Sequence, residues 1–374
     1  MKNVAIVAFA PLRNRQGADL AAALSAVGVR VTLYQYGSRA LCHDAAGYET
    51  VSLTPAGLAS IPPALARTPF LGSVRAAVLL SHILRQRPNV IVAINLTALR
   101  IVSLVCKLMK PRLIYYQLEC ITNGKQMRRE KRLCDRFCDV IVAVEPNRAD
   151  FLTSRLNRVI PTFVIPNTPR NNAVPRRAGK LKHYLQSTCG LADCRKIVLY
   201  SGSYQTYSNL EQLVCQSQCW REPIVFVLML TDAVPQRLRR SLVLSNGRAV
   251  LVPPVDHAEL YEWVSDADLG LLPYEDDTDP NVNYCSPQKL FDYLACGIPF
   301  VGSKRPLIEQ IAASANCGTC VDMKDSAQVA KAIDGMLADP RRLRQRSKDA
   351  RTCYEVYFNY DTCAKPLIQE IVRC

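Results

Sequence analysis

The feature that most constrains this 374-residue chain is an alternation, run through twice, of short unbroken apolar stretches with longer stretches spaced for helices. Val4–Ala10 is apolar throughout, as expected for a parallel strand covered on both faces. Gly17–Val27, rich in Ala and Leu and closed by Gly28, has helical spacing, and Arg30–Tyr36 returns as a second strand, giving a β-α-β unit. The pattern continues with strands at Val90–Ile94, Arg112–Gln117 and Val140–Val144 and helices at Leu96–Lys110 and Lys125–Cys138; Tyr48–Pro69 shows no period. After Val164–Pro169 the chain loses its apolar period across Arg170–Arg177, then restarts with strands at Lys196–Tyr200, Pro223–Leu230, Ala249–Val252, Leu269–Pro273 and Phe300–Gly302, and with helices between and after them. The expected fold is α/β, two Rossmann-like doubly wound domains facing a cleft: residues 1–169, a linker at 170–190, and residues 191–374, with the final helix packing back on the first domain.

Other classes fit poorly. The most apolar stretch, Val90–Met109, is interrupted by Asn95, Thr97, Arg100 and Lys107, too many polar groups for a spanning helix. Val4–Ala10, with Arg13 and Arg15 close behind, reads as a buried strand and not as a secretory signal. The cysteines fall inside strand and helix patterns, as buried free thiols do, and the single C-x-x-C, Cys317 to Cys320, has neither a second pair nor enough histidines for a zinc site. A cytoplasmic protein is expected. The formal net charge is +15, and +14 of it lies in the residues up to Arg170, whereas the second half is nearly neutral.

Chemistry concentrates between Asp266 and Pro299. Ser286 suits an N-cap and Pro287 the first position of a helix starting at the carboxyl side of a strand, which makes an anion site. Lys289 adds a full charge for a phosphate, and Asp292, one turn on, offers a carboxylate to ribose hydroxyls. The same spacing fits an ordinary helical ion pair. Asp266-Ala267-Asp268 and Asp277-Thr278-Asp279 match a D-x-D metal pattern, but acidic loops are most often simply solvated, and no metal is expected. Arg128-Arg129-Glu130-Lys131-Arg132 reads as a solvated helix face.

Asp268–Tyr274 followed by Pro287–Pro299 resembles the family 4 type glycosyltransferases of the GT-B architecture, in which a strand like "aD-G-l-P-Y" precedes a "P-x-K-L-F-E-Y-x-A-x-G-x-P" helix. Ile165–Pro169 resembles the hinge of that family, Tyr200–Ser203 its first loop of the second domain, and Tyr115–Glu119 a strand end on the acceptor side. The resemblance implies a metal-independent, retaining transfer from a nucleotide-sugar donor, without cofactor, to a glycan or lipid-linked acceptor. It implies donor binding by Gly202, Ser203, Tyr284, Ser286, Pro287, Lys289, Leu290 and Asp292, and Glu119 as a base toward the acceptor. Asp292 takes the place of the second glutamate of the family's E-x7-E element; Tyr284 replaces the first. Family members often carry Arg and Lys just after the glycine loop, but Tyr204–Glu211 has neither, which shifts leaving-group charge to Lys289 and the helix terminus, with Arg13 or Arg15 contributing on closure. Val252–Asp256 is placed to flank the base or merely to end a strand. The other readings are a nucleotide-sugar epimerase of GT-B-like layout and a basic nucleic-acid-binding protein. The latter lacks any finger, zipper or RRM-like signature, so no nucleic acid is expected, and the charge division favours an anionic membrane surface at its cytoplasmic face as a partner.

Overall fold

The computed structural model of the chain describes residues 2–9, 15–35, 47–53, 69–170, 178–191, 196–221, 223–256 and 258–373. Two compact units are present: Met1–Pro166 together with Tyr360–Cys374, and Asn167–Asn359.

The first unit runs β1 (Asn3–Ala8), α1 (Arg15–Ala26), β2 (Arg30–Gln35), β3 (Glu49–Ser52), α2 (Pro69–Gln86), β4 (Val90–Ile94), α3 (Asn95–Met109), β5 (Arg112–Gln117), α4 (Gly124–Phe137), β6 (Val140–Ala143), α5 (Pro146–Thr153) and β7 (Thr162–Val164). The strands form one parallel sheet in the order β3-β2-β1-β4-β5-β6-β7, a doubly wound topology. The apolar run of β1 is explained by its two covers: Val4 and Ile6 pack into the layer of α1, and Ala5 and Val7 into the layer of α2, α3 and α4.

The second unit begins with α6 (Lys180–Ser187) and β8 (Lys196–Gly202), then α7 (Leu210–Gln216), β9 (Ile224–Leu230), α8 (Gln236–Leu244), β10 (Ala249–Val252), α9 (Leu260–Val264) and β11 (Leu269–Leu272). It continues with α10 (Pro280–Asn283), α11 (Gln288–Cys296), β12 (Phe300–Ser303), α12 (Pro306–Ala315), β13 (Gly318–Val321), α13 (Ser326–Leu337) and α14 (Pro340–Cys353). Its parallel sheet has the order β10-β9-β8-β11-β12-β13, so the strand order reverses between β8 and β11. The last helix, α15 (Tyr360–Arg373), returns to the first unit, where Tyr360, Ala364, Leu367 and Ile371 pack in the layer of α1. Lys2 holds its end by donating to the carbonyls of Ile371, at 3.1 Å, and Val372, and Arg112 pairs with Glu370.

Inside the stretch expected to be a linker, α6 is a packed helix. Leu181 and Leu185 enter the core, and Asp266 accepts hydrogen bonds from the N–H groups of Gly179, Leu181 and Lys182 at its start. Residues 171–177 of that stretch lie outside the described residues, as does Arg13. Among the described residues every cysteine is a free thiol, and no helix is long and apolar enough to cross a membrane. Cys317 has Cys353 as its hydrogen-bonding thiol, not its C-x-x-C neighbour Cys320.

Candidate active site

The crevice of a doubly wound sheet opens at the carboxyl ends of the strands where their order reverses, here between β8 and β11. Those strands pair only at Leu269 with Val198 and Gly270 with Leu199. Beyond that point Tyr293 of α11 takes over. Its ring lies against Gly270, and its hydroxyl donates to the Leu199 carbonyl at 3.0 Å while accepting from the Ser201 N–H at 3.1 Å. One side chain therefore spreads the two strand ends and fixes α11 over the gap.

Lys289, one turn before Tyr293, lies in that gap. Its ammonium sits 3.9 Å from the centre of the Tyr200 ring and 5.2 Å from that of Tyr274, a cation on a tyrosine shelf. Tyr207 stacks under Tyr274 with ring centres 5.4 Å apart. Gly202 has φ +134°, and a Cβ there would come within 3.2 Å of Lys289 Cε, so glycine is needed both for the backbone angle and for the approach of the lysine. Among the described residues no carboxylate pairs with Lys289. Loss of hydration in this half-buried seat brings its pKa down to about 7, with Cys285 opposing the shift. An ammonium without a counterion, beside a glycine backbone and at a helix start, is a seat prepared for an anion.

The start of that helix is one residue later than expected. Pro287 is the N-cap, with extended φ and ψ and no side-chain cap, so among the described residues no side chain caps the first N–H groups of α11. Ser286 is drawn off instead by Asn167: its hydroxyl accepts from the Asn167 N–H at 3.2 Å and its carbonyl from the Asn167 side chain at 2.8 Å. Leu290, expected to contact the donor, is fully buried in the core, and its N–H is used by the Pro287 carbonyl. Its side chain supports the helix from within the core. Asp292 is not paired with Lys289; it is nearly buried and accepts from the Tyr261 hydroxyl at 2.9 Å. Ser203 follows Gly202, its hydroxyl accepting from Gln205 and its carbonyl from the Tyr200 hydroxyl. Tyr284 ends the short α10 turn and is half-buried.

The acidic loop is organised by a residue that sequence reasoning passed over. Arg305, 7% exposed, donates to the Tyr274 carbonyl at 2.7 Å and to Asp277 and Asn283 at 2.7 and 2.8 Å. These bonds hold Asp277 below the usual carboxylate range. Asp276 bonds Thr278, Asp279 caps α10, and Asp268 accepts from the Ile197 N–H at 3.0 Å. Asp266, Asp268 and Asp279 of the two D-x-D stretches thus accept from backbone N–H groups, and Asp277 pairs with Arg305. Arg305→Ala should cost about 1–3 kcal/mol by orphaning the buried Tyr274 carbonyl, measured by denaturant unfolding, with faster proteolysis inside 275–283.

In the first unit, Glu119 is exposed after the end of β5, and among the described residues none pairs with it to orient it as a base. One fully buried carboxylate of this unit is Glu130, which accepts from Tyr115 at 2.6 Å and Gln117 at 2.8 Å and faces Arg155 at 3.4 Å; burial pushes its pKa up against these bonds. Its signal was its phase: Met127, Glu130 and Cys134 share the inward stripe of α4, so one member of the charge cluster points into the protein. Arg15 is buried within its unit and paired with Asp19 at 3.4 Å. Val252 closes β10, the edge strand of the second sheet, and the rest of Val252–Asp256 follows it. A cavity of about 680 Å³ lies at the opposite, amino-terminal edge of that sheet, lined by Lys196, Asp268, Arg344 and Lys348, away from the strand ends that form the crevice.

Residues 228–369 match the family described as Glycosyl transferase-like. No curated protein matches the chain closely enough to count as a relative. Among solved structures, a sucrose-phosphate synthase from Thermosynechococcus elongatus is similar at 17% identity and a TM-score of 0.78, over 100% of this chain and 99% of that one. Anabaena HepE in complex with UDP matches at 15% identity and a TM-score of 0.76, over 100% of both chains. WaaG, a glycosyltransferase involved in lipopolysaccharide biosynthesis, matches at 14% identity and 0.67, over 98% of this chain and 99% of that one. The fold is GT-B.

Proposed function

We infer from a glycosyl transferase-like segment carried on a full-length GT-B fold that the chain is a glycosyltransferase, and we propose that it moves a sugar from a nucleotide-sugar donor to a glycan or lipid-linked acceptor, with retention of configuration and without a metal. The observation that carries the reading is the uncompensated Lys289 ammonium, seated against Gly202 under the uncapped start of α11. Departure of a nucleoside diphosphate builds negative charge as the sugar becomes oxocarbenium-like, so fixed positive groups at the leaving oxygens do the catalytic work. Lys289, the Gly202–Ser203 backbone and the helix start bind the diphosphate. Asp292, held by Tyr261, receives the ribose, and Tyr284 stands where an acidic residue would meet the transferred sugar. The reaction would run at the cytoplasmic face of a membrane.

Calorimetric titration with uridine, guanosine and adenosine diphosphates tests this. One of them should bind saturably, and Asp292→Ala should weaken it about tenfold, the worth of a charge-assisted hydrogen bond. Absence of binding by all three would sink the reading. Turnover of a nucleotide sugar to its epimer without acceptor would select the epimerase instead, and activity that disappears in a chelator and returns with a divalent ion would remove the metal-independent part.

A further inference from the structure

The helices α2, α3 and α4 cover one face of the first sheet side by side, with α3 touching both neighbours. Their outward surface has one sign of charge. Neither α2 nor α3 contains an acidic residue, and α4 contains two: Glu130, which is buried, and Asp135, held by Lys131 at 2.9 Å and by the Asn157 N–H at 2.8 Å. Against these stand exposed Arg100 and Lys107 on α3 and Arg128, Arg129, Arg132 and Arg136 on α4. A depression of about 460 Å³ opens among Arg128, Lys131, Arg132 and Arg136, with Asp135 and Asn157 also in its lining, both bonded to Lys131. Beside these cations, leucines stand in water: Leu104 is 52% exposed, Leu108 76% and Leu84 41%. Leu104 and Leu108 lie one turn apart on the same stripe as Arg100 and Lys107.

Cations alone would suit any polyanion, and leucines alone would suit a protein groove. Both together, on neighbouring helices lying along one face of a sheet, match a surface with a charged plane and an apolar layer just beneath it. We propose that the outer face of α2, α3 and α4 docks on a bilayer containing anionic phospholipid, with Leu104 and Leu108 entering the acyl boundary and lipid phosphates resting against Arg128, Arg132 and Arg136. Nothing in this depends on the donor crevice, which belongs to the other unit.

The test uses the full chain with vesicles of phosphatidylcholine alone and of phosphatidylcholine mixed with phosphatidylglycerol, at low and high salt. Cosedimentation should require phosphatidylglycerol and weaken with salt. Arg128→Ala and Arg132→Ala should each lower partitioning about fivefold, the worth of one cation near an anionic surface. The pair Leu104→Asn and Leu108→Asn should lower it about tenfold, and a Leu108→Trp variant should be quenched by lipids brominated near the headgroup. Nucleoside diphosphate binding should stay unchanged in every variant, which also reports that they fold. Equal binding to neutral vesicles, or arginine variants that bind like the parent, would overturn the proposal. So would indifference of the leucine pair combined with displacement by a short RNA, which would mark a polyanion surface. If no nucleoside diphosphate binds even to the parent chain, the donor reading fails and the vesicle result still stands by itself.

Discussion

Lys289→Met binds the nucleoside diphosphate at least about 100-fold more weakly than the parent, yet the free variant melts at a higher temperature. The first half follows from removing a full charge aimed at the leaving group, an effect of about 10²–10³ where such a group acts in a shielded site. The second half follows from the same environment. Lys289 is lowered to about 7 from an ordinary 10.5 because its seat strips water from the ammonium. Between pH 7 and 10.5 the unfolded chain holds a proton that the folded chain has released, so stability contributed at this position rises with pH across that window and the strain of the buried charge is full below it. Methionine has no such strain at any pH, and the difference in melting temperature should shrink from pH 6 to pH 9. Ligand binding runs the other way. A diphosphate restores the proton, so affinity should fall about tenfold per unit above pH 7, with close to one proton taken up on binding at pH 8 in buffers of different ionisation enthalpy. Because a terminal phosphate itself protonates near pH 6, binding should be tightest near neutrality. Proton uptake of zero at pH 8 would sink the argument.

Gly270→Ala should unfold the second unit far more readily than any surface change, by about 3–5 kcal/mol out of a total that is typically 5–15. A Cβ at this position would lie 2.3 Å from Tyr293 Cδ2 and 2.4 Å from Cε2. The ring cannot withdraw, since it is fully buried and its hydroxyl is bound to both Leu199 and Ser201. Moving it would break those bonds and shift α11, which carries Lys289, so donor binding should vanish even where the protein still folds. Tyr293→Phe keeps the ring and loses only the two hydrogen bonds, an expected cost of about 1–3 kcal/mol. The pair Gly270→Ala with Tyr293→Leu should recover part of the loss, a coupling of about 1 kcal/mol or more. Denaturant unfolding of the parent, Gly270→Ala, Tyr293→Leu and the pair measures it, and strict additivity would remove the clash as the cause.

What the sequence disclosed and what it withheld divide along physical lines. Strands such as β1, β4 and β9 were legible because burial on both faces leaves an unbroken apolar run, and the double alternation fixed the two-domain topology. Lys289 was legible because its position in the first turn of α11 is a local property. The exact start of α11 was not, since the hydroxyl of Ser286 is claimed by Asn167, 119 residues earlier. The burial of Leu290 was not legible because neighbours in a motif point around the helix, and this one points into the core. Asp292 looked free to pair with Lys289 until Tyr261, from another helix, took its carboxylate. Arg305 carried no local signal at all: its three partners lie 22 to 31 residues away and are brought to it only because β11 and β12 pair as parallel neighbours with their carboxyl ends side by side. Glu130 was hidden by its neighbours, a single inward residue within a cluster whose other charges face out or are half-buried. The helix α2 was missed because its apolar residues lack a clear boundary after the featureless stretch before it.

The return of α15 to the first unit gives the chain an order of completion. Synthesis from the amino terminus delivers β1 to β7 first, but the layer over α1 lacks Tyr360, Ala364, Leu367 and Ile371 until the whole second unit has been made. The first unit to emerge is therefore the last that can be finished, and while the second folds, an apolar strip along α1 stays uncovered. A chain stopped at Asn359 would keep every residue of the second unit and leave the first one open along that strip, so loss of the last fifteen residues should register at the opposite end of the polypeptide.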